Sequence, residues 1–207
     1  MSQTATAIMS SRPARKNRTP CLSGNQNNWT MSKKKKSDTK RKAALAERTK
    51  VDAFKFQVEW QLKKVLPNLS MGNAALQAEI DTIVRRDWIK GLNNLAEIIK
   101  GVKQDLNASP VEDKNSLNGS IIAYIYGITI VNPVNDDGTL KAEDPITKAP
   151  EDENDRMLRV DLHYDNEVWM KVGDWAKAHS YESIVMAYHP VIKLQNVRVN
   201  IHRIKPE

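Results

Sequence analysis

The chain has 207 residues, an apolar fraction of 40% and a mean hydropathy of −0.57, so it can build a core but has no apolar run of membrane-spanning length. Cys21 is its only cysteine, which excludes a disulfide framework and a cysteine-based zinc site. No apolar stretch typical of a secretory signal lies near residue 1, so we expect an intracellular protein of the cytoplasm, nucleoid or nucleus that is neither secreted nor held in a membrane.

The basic residues are concentrated at one end of the chain. Residues 1–42 hold eleven Lys and Arg against a single acidic residue, Asp38, whereas residues 43–207 hold 21 basic and 24 acidic residues. Segregation of this kind is typical of a tail that makes an electrostatic contact, because the rest of the chain has little net charge. We therefore expect an acidic partner, and nucleic acid fits best.

Residues 1–38 form a predicted basic arm. They are mostly small polar and basic residues without periodicity, so they cannot bury enough apolar surface to offset the entropy of ordering, and we predict disorder. Met31 begins Met-Ser-Lys-Lys-Lys-Lys and reads as a second possible start. Phosphate contacts are assigned to Lys33, Lys34, Lys35, Lys36, Lys40, Arg41 and Lys42. A solubilising tail, a targeting peptide and a nuclear address are the alternatives.

Residues 39–107 show helical periodicity. The first apolar stripe consists of Val51, Phe54, Val58, Leu62 and Val65, and Pro67 ends its helix at about residue 66. Two further stripes predict helices over 74–86 and from 87 to beyond 102. Three short-jointed helices predict a small bundle that could also bind a protein partner or a second copy. A DNA-reading helix–turn–helix through Arg85, Arg86 and Lys90 is the alternative.

The pattern changes to strand alternation after residue 119. Five strands are predicted, at 121–131, 158–164, 168–172, 184–188 and 197–201. A three-residue loop, 165–167, would join the second and third strands in a hairpin, with His163 beside Trp169. The fold class predicted is α+β, in which the helical segment precedes a β-rich domain, 119–207, with a small antiparallel five-stranded barrel or sheet. The acidic loop 132–155 is predicted to be mobile.

The count and spacing of these strands resemble the OB-fold, a small barrel that often binds single strands. The likeness lies in the stretch from Val172-Gly173-Asp174-Trp175 to Val199 and covers less than half of the chain. It implies a groove for a single-stranded nucleic acid. In that groove Trp169 would be the stacking platform, with Arg159, His163, Lys171 and Arg198 around it. Packing of Trp169 under a loop or against the helices is the alternative.

Catalytic motifs are lacking: the sequence has no phosphate loop, dinucleotide fingerprint or nucleophile elbow. Asp161, His163 and Asp165 alternate along one strand and could face a metal, although such alternation is ordinary for a solvated strand. We expect no enzyme, no catalytic residues, no metal and no cofactor. The function predicted is a non-catalytic accessory protein for replication, recombination or packaging that binds single-stranded DNA or RNA. A structural or adaptor protein of a large assembly, such as a virion or ribonucleoprotein, is the alternative.

Overall fold

The computed structural model describes residues 26–150 and 156–204, and side chains from residue 39 onward. The chain divides into a first unit, residues 1–46, and a second unit, residues 47–207, which contains the apolar core. The helices are α1 (Gln26–Val65), α2 (Ala74–Arg85), α3 (Ile89–Leu106), α4 (Ile121–Ile125) and α5 (Trp169–Ala178), with a 3-10 turn at Glu112–Lys114. The strands are β1 (Leu158–Tyr164), β2 (Glu182–Met186), β3 (His189–Leu194) and β4 (Val197–Arg203).

The three predicted helices are confirmed as α1, α2 and α3. Phe54, Val58 and Leu62 of the first stripe are buried, because their spacing places them on one side of α1. Asn73 begins α2, since its Oδ1 accepts hydrogen bonds from the backbone N–H groups of Ala75 and Leu76. Helix α1 begins at Gln26, further toward the N-terminus than the sequence predicts. Residues 1–25 of the predicted arm lie outside the described residues.

Two glycines in α3 allow close packing. A Cβ at Gly91 would overlap the side chain of Val197 and lie 2.8 Å from the Leu194 carbonyl oxygen. A Cβ at Gly101 would overlap the ring of Trp175. The glycines weaken α3 locally, but they let the sheet and α5 approach its backbone.

The first predicted strand, 121–131, is wrong, because its start forms the short helix α4. Ser120 caps this helix through a hydrogen bond from the Ala123 N–H at 3.0 Å. The buried carboxyl group of Glu79 accepts the N–H groups of Ile121 and Ile122, at 2.7 and 2.9 Å. Ile121, Ile122, Ile125 and Ile128 are buried, so the β-branched composition of this run reflects core packing and not strand pairing.

The third predicted strand, 168–172, is also wrong, because helix α5 occupies this position. The Asp165 carbonyl accepts the N–H groups of both Val168 and Trp169 at 3.0 Å and turns the chain. Helical spacing then buries Val172 and Ala176 together. The predicted hairpin through the loop 165–167 and its register are therefore incorrect.

The described strands form one open, mixed sheet in the order β1-β4-β3-β2. Strands β1 and β4 pair in parallel, from Leu158 opposite Val197 to Tyr164 opposite Arg203, while β2–β3 and β3–β4 are antiparallel. The α+β class is confirmed. The described residues form four strands, where we predicted five, and they do not close into a barrel, so the sheet identifies no OB-fold. The predicted strands do not include β3, because a proline such as Pro190 is uncommon inside a strand.

Part of the predicted acidic loop packs against the helical region. Ile146 is fully buried, and the Asp144 side chain accepts the N–H groups of Ile146 and Thr147. Arg86 donates to the carbonyl oxygens of Ala149 and Pro150. Residues 151–155 lie outside the described residues, and mobility of the loop stays a prediction.

No helix among the described residues is both long enough and apolar enough to span a membrane.

Candidate nucleic-acid interface

The two faces of the sheet differ in chemistry. Strand β1 alternates strictly, with Leu158, Val160, Leu162 and Tyr164 buried and the residues between them more exposed, and β4 repeats this pattern. We call the second set of side chains the outer face. Its members on the three adjacent strands are Arg159, Asp161 and His163; Arg198, Asn200 and His202; and His189, Val191 and Lys193.

The core face carries the helices that contact the sheet. Helix α3 approaches Val197 at Gly91, and α5 approaches Pro190 at Gly173. Both of those partners lie on the core side of their strands, opposite to the outer-face residues. Among the described elements, helices therefore cover one face of the sheet and leave its outer face accessible.

A basic row crosses the outer face. Arg159 lies opposite Arg198, and Arg198 lies opposite Lys193, so three cationic side chains follow one another across β1, β4 and β3. Lys193 pairs with Glu182 of β2 at 2.7 Å, which leaves the row with a net positive charge. Arg159 and Lys193 are exposed.

The Arg198 side chain lies flat along the outer face. Its Nε donates to Asn200 Oδ1 at 3.2 Å, and its Nη2 lies 3.6 Å from the sulfur of Met186 on β2. Strand β3 lies between β4 and β2, so the guanidinium passes over Val191, which is fully buried on this side. The stem of Arg198 thus covers apolar surface while its charge stays at the outer face.

A row of three histidines runs parallel to the basic row. His163 of β1 pairs with His202 of β4, and their ring centroids are 5.0 Å apart at an interplanar angle of 26°. His189 of β3 stacks on the other side of His202 at 4.8 Å. Offset stacking at these distances is favourable for aromatic rings. The row presents three imidazoles side by side, and it contains three of the four histidines in the chain.

Hydrogen bonds to protein acceptors fix the orientation of each ring. His163 Nδ1 donates to the carbonyl oxygen of Lys114 at 2.9 Å, and His202 Nε2 donates to Asp161 Oδ1 at 3.0 Å. His189 Nδ1 donates to the Ala187 carbonyl oxygen at 3.3 Å. Because a carbonyl or carboxylate oxygen only accepts, each of these nitrogens carries a hydrogen.

Asp161 accepts a hydrogen bond from His202, the central ring of the row. Burial would raise the pKa of its carboxyl, but hydrogen bonds from Asn200 and His202, together with the charges of His202 and His163, hold the pKa below its ordinary value. The carboxylate therefore stays ionised at neutral pH and orients His202.

A pocket of about 860 Å³ opens beside the histidine row, where β1 and β4 reach their carboxyl ends. Its polar lining consists of Lys114, His163, His189, His202 and Arg203. Its apolar lining consists of Trp169, Met170, Val185, Ala187 and Tyr188. This combination suits a ligand with both an anionic group and a flat apolar part.

A strained turn holds Tyr188 at the rim of the pocket. Ala187 and Tyr188 connect β2 to β3 with φ values of +47° and +69°, so both central residues of this hairpin turn are left-handed. Asn and Gly normally occupy such positions, because other side chains destabilise this conformation. The turn leaves the Tyr188 side chain 93% exposed.

The structure brings together some of the predicted site residues and separates others. Arg159 and Arg198 are neighbours on the outer face, and His163 lines the pocket with Trp169. Lys171 lies in helix α5, which packs on the core face and not on the outer face. In the first unit, Lys40, Arg41 and Lys42 are exposed on α1. Lys33, Lys34, Lys35 and Lys36 belong to the same helix, but their side chains lie outside the described residues.

Sequence reasoning missed His189, His202, Lys193 and Arg203. Alternation correctly separated the two faces of β4, yet it gave no sign that β4 pairs in parallel with β1 and so places His202 beside His163. His189 was missed together with β3. Ile192 and Leu194, which alternate with Lys193, are the signal that could have revealed β3.

In the part of the chain that the structure describes, no group of three or more His, Cys, Asp and Glu side chains is arranged to hold a metal ion. The stacked imidazoles present ring faces to one another, which is unsuited to shared coordination. The chain matches no protein-family model and no curated protein sequence.

Proposed function

We propose that this protein binds single-stranded nucleic acid on the outer face of its sheet, as a non-catalytic accessory protein. The observation that carries the proposal is the basic row, Arg159, Arg198 and Lys193, lying beside three imidazoles on a face without helix packing among the described elements. An extended strand laid across the sheet would place phosphates near the cations and bases near the aromatic rings.

Stacking surfaces at the end of the sheet support the same proposal. Trp169 lines the pocket, and the Tyr188 ring is almost fully exposed at its rim. A base stacked on such a side chain contributes about 1–3 kcal/mol with little sequence preference. The outer face is therefore suited to binding strands of many sequences.

The basic segment of α1 would supply further phosphate contacts. Lys40, Arg41 and Lys42 are exposed, and the four lysines at 33–36 precede them on the same helix. Phosphate neutralisation by these residues releases counterions, so the contribution falls steeply as salt increases. This contact requires no particular base sequence.

The proposal is tested by titrating the full chain with a labelled single strand of about 12 nucleotides, as DNA and as RNA, across a salt series. Arg159→Gln and Arg198→Gln are each expected to weaken binding, and each should lower the salt slope by about 0.7 because one phosphate contact is lost. Trp169→Ala should weaken binding without changing that slope.

Lys177→Gln is the matched control, because Lys177 is exposed on α5, which packs on the core face of the sheet. It removes the same charge as the arginine variants. Equal losses in the control and the arginine variants would mean that net charge alone controls binding, and the proposed interface would then be wrong.

A structural or adaptor role is the second candidate, and one observation on α1 favours it. Phe56 and Trp60 lie one helical turn apart and are 71% and 55% exposed. Exposed aromatic side chains in such proximity are typical of a contact surface. We expect this surface to pair with a second copy of the chain if the role is structural. Sedimentation of the full chain and of Trp60→Ser tests this, because a structural protein would self-associate through Trp60, and its affinity for oligonucleotides would not depend on Arg159, Arg198 or Trp169.

A further inference from the structure

The pocket beside the histidine row is lined by more basic groups than the single negative charge of a phosphodiester would require. Lys114 and Arg203 line it together with the three imidazoles, and no carboxylate is among the described residues that do so. Asp161, which accepts a hydrogen bond from His202, lies two residues before His163 on β1 and so further from the end of that strand. A phosphodiester carries a single negative charge, whereas a phosphomonoester carries about −1.5 to −2 at neutral pH.

The imidazoles are also equipped to bind oxygen atoms. One nitrogen of each ring is held by a protein acceptor, namely Lys114 for His163, Asp161 for His202 and Ala187 for His189. Within the described residues, the second nitrogen of each ring has no hydrogen-bond partner. A protonated ring would donate from this nitrogen to a phosphate oxygen, and charge-assisted hydrogen bonds of this type are short and strong.

The apolar lining of the pocket suits a base. Trp169 and Tyr188 offer aromatic surface, and Met170 and Val185 add apolar contacts. A volume of about 860 Å³ lies within the range of sites that enclose a single small-molecule ligand. The pocket can therefore hold one nucleoside with its phosphate, but not a long stretch of strand.

We propose that this pocket binds a nucleoside phosphomonoester, with the phosphate at Lys114, Arg203 and the imidazoles and the base against Trp169 and Tyr188. The inference rests on the proposed function in one respect, since the phosphomonoester could be the phosphorylated end of the bound strand. A free mononucleotide presents the same chemistry. The two sources are separated by experiment.

The experiment compares one oligonucleotide carrying a 5′-phosphate, a 3′-phosphate or only hydroxyl ends, titrated into the full chain at constant salt. We expect one phosphorylated end to raise affinity about tenfold, as a charged hydrogen-bond network does. Arg203→Gln should abolish this advantage while retaining most of the affinity for the hydroxyl-ended strand. Arg203 is exposed, so this variant should fold, and its thermal unfolding checks that.

Adenosine monophosphate, adenosine and inorganic phosphate are then used as competitors. Competition by the monophosphate but not by adenosine or phosphate would confirm the combined recognition of base and phosphate. If adenosine monophosphate binds the full chain and no oligonucleotide does, the pocket assignment is correct and its ligand is the free nucleotide. The proposed strand binding is then wrong.

If strands bind with equal affinity whatever their ends, the pocket assignment is wrong while strand binding stands. If the advantage of a phosphorylated end survives in Arg203→Gln combined with Lys114→Gln, the phosphate binds elsewhere. Lys177→Gln serves again as the control that preserves the pocket.

Discussion

The two faces of one sheet show how the same strands can build an apolar core on one side and a polar, basic surface on the other. On β1, Leu162 is 1% exposed and packs with the helices, while its neighbours Asp161 and His163 lie on the outer face. The backbone and pairing are identical on both sides, so the difference comes only from alternation of side chains. Substitutions on one face should therefore alter stability, and substitutions on the other should alter binding.

The largest expected effect is a loss of core packing. Leu162→Ala removes a buried side chain and should lower the free energy of unfolding by about 2–5 kcal/mol, since the cavity collapses only partly. Arg159→Gln on the same strand should change it by less than about 0.5 kcal/mol. Chemical denaturation of the two variants measures this directly, and comparable losses would contradict the division into two faces.

The next effect concerns the glycines of α3. Gly91→Ala and Gly101→Ala should each destabilise the protein by about 1–3 kcal/mol, because the added methyl overlaps Val197 or the Trp175 ring. Gly72→Ala is the matched control, since its Cβ would meet only Ser70 Oγ at 3.5 Å. Equal stability of all three variants would show that α3 does not approach the sheet and α5 so closely.

A third prediction is a pH dependence that originates away from the sheet. Burial and the nearby charge of Asp144 raise the pKa of Glu79 to about 8 from 4.5, although hydrogen bonds from Ile122, Ile121 and Ser120 oppose the shift. In this window the folded protein holds a proton that the unfolded chain releases, so rising pH favours unfolding. The free energy of unfolding should fall from pH 4.5 to about 8.

Glu79→Gln cannot ionise, so its free energy of unfolding should lack this slope. Denaturation at several pH values measures both proteins. A slope of the same size in the variant would assign the titration to another group. Glu97→Gln is a suitable control, because Glu97 lies at the surface beside Tyr181.

The smallest expected effect is at Tyr188, where one substitution should raise stability and weaken binding. Tyr188→Asn should raise the free energy of unfolding by up to about 1 kcal/mol, because Asn tolerates the left-handed conformation better. The same variant should bind oligonucleotides more weakly, since it removes an exposed stacking surface. Thermal unfolding and titration are compared in one preparation. A variant that changes stability and affinity in the same direction would show that Tyr188 has no separate binding role.

Local patterns predicted much of the fold. The stripes of α1 to α3 and the alternation of β1 and β4 are set by neighbours in sequence, so periodicity identified them. The run from Ile121 failed because buried helices and buried strands have the same composition. The segment from Val168 failed because five alternating residues also fit one helical turn and a half. The parallel pairing of β1 with β4 joins residues about 40 positions apart, which no local pattern encodes.

The candidate site was predictable to a similar degree. Arg159, His163 and Arg198 were assigned to an exposed strand face because alternation requires it. Their partners Lys193, His189 and His202 depend on the strand order, and Trp169 reaches the pocket from a helix instead of a strand. Sequence therefore identified individual side chains, while tertiary pairing determined which of them form rows.

The proposed interface is tested most directly by following the histidine ring signals by NMR while a single-stranded oligonucleotide is added to the full chain. The four histidines divide into two groups, because His163, His189 and His202 form the outer-face row, while His179 stacks on Trp175 at the end of α5. We predict that the three row signals shift together and saturate with the bound strand, while His179 stays unchanged. Saturated binding that leaves the three row signals in place, or that shifts His179 alone, would contradict the account.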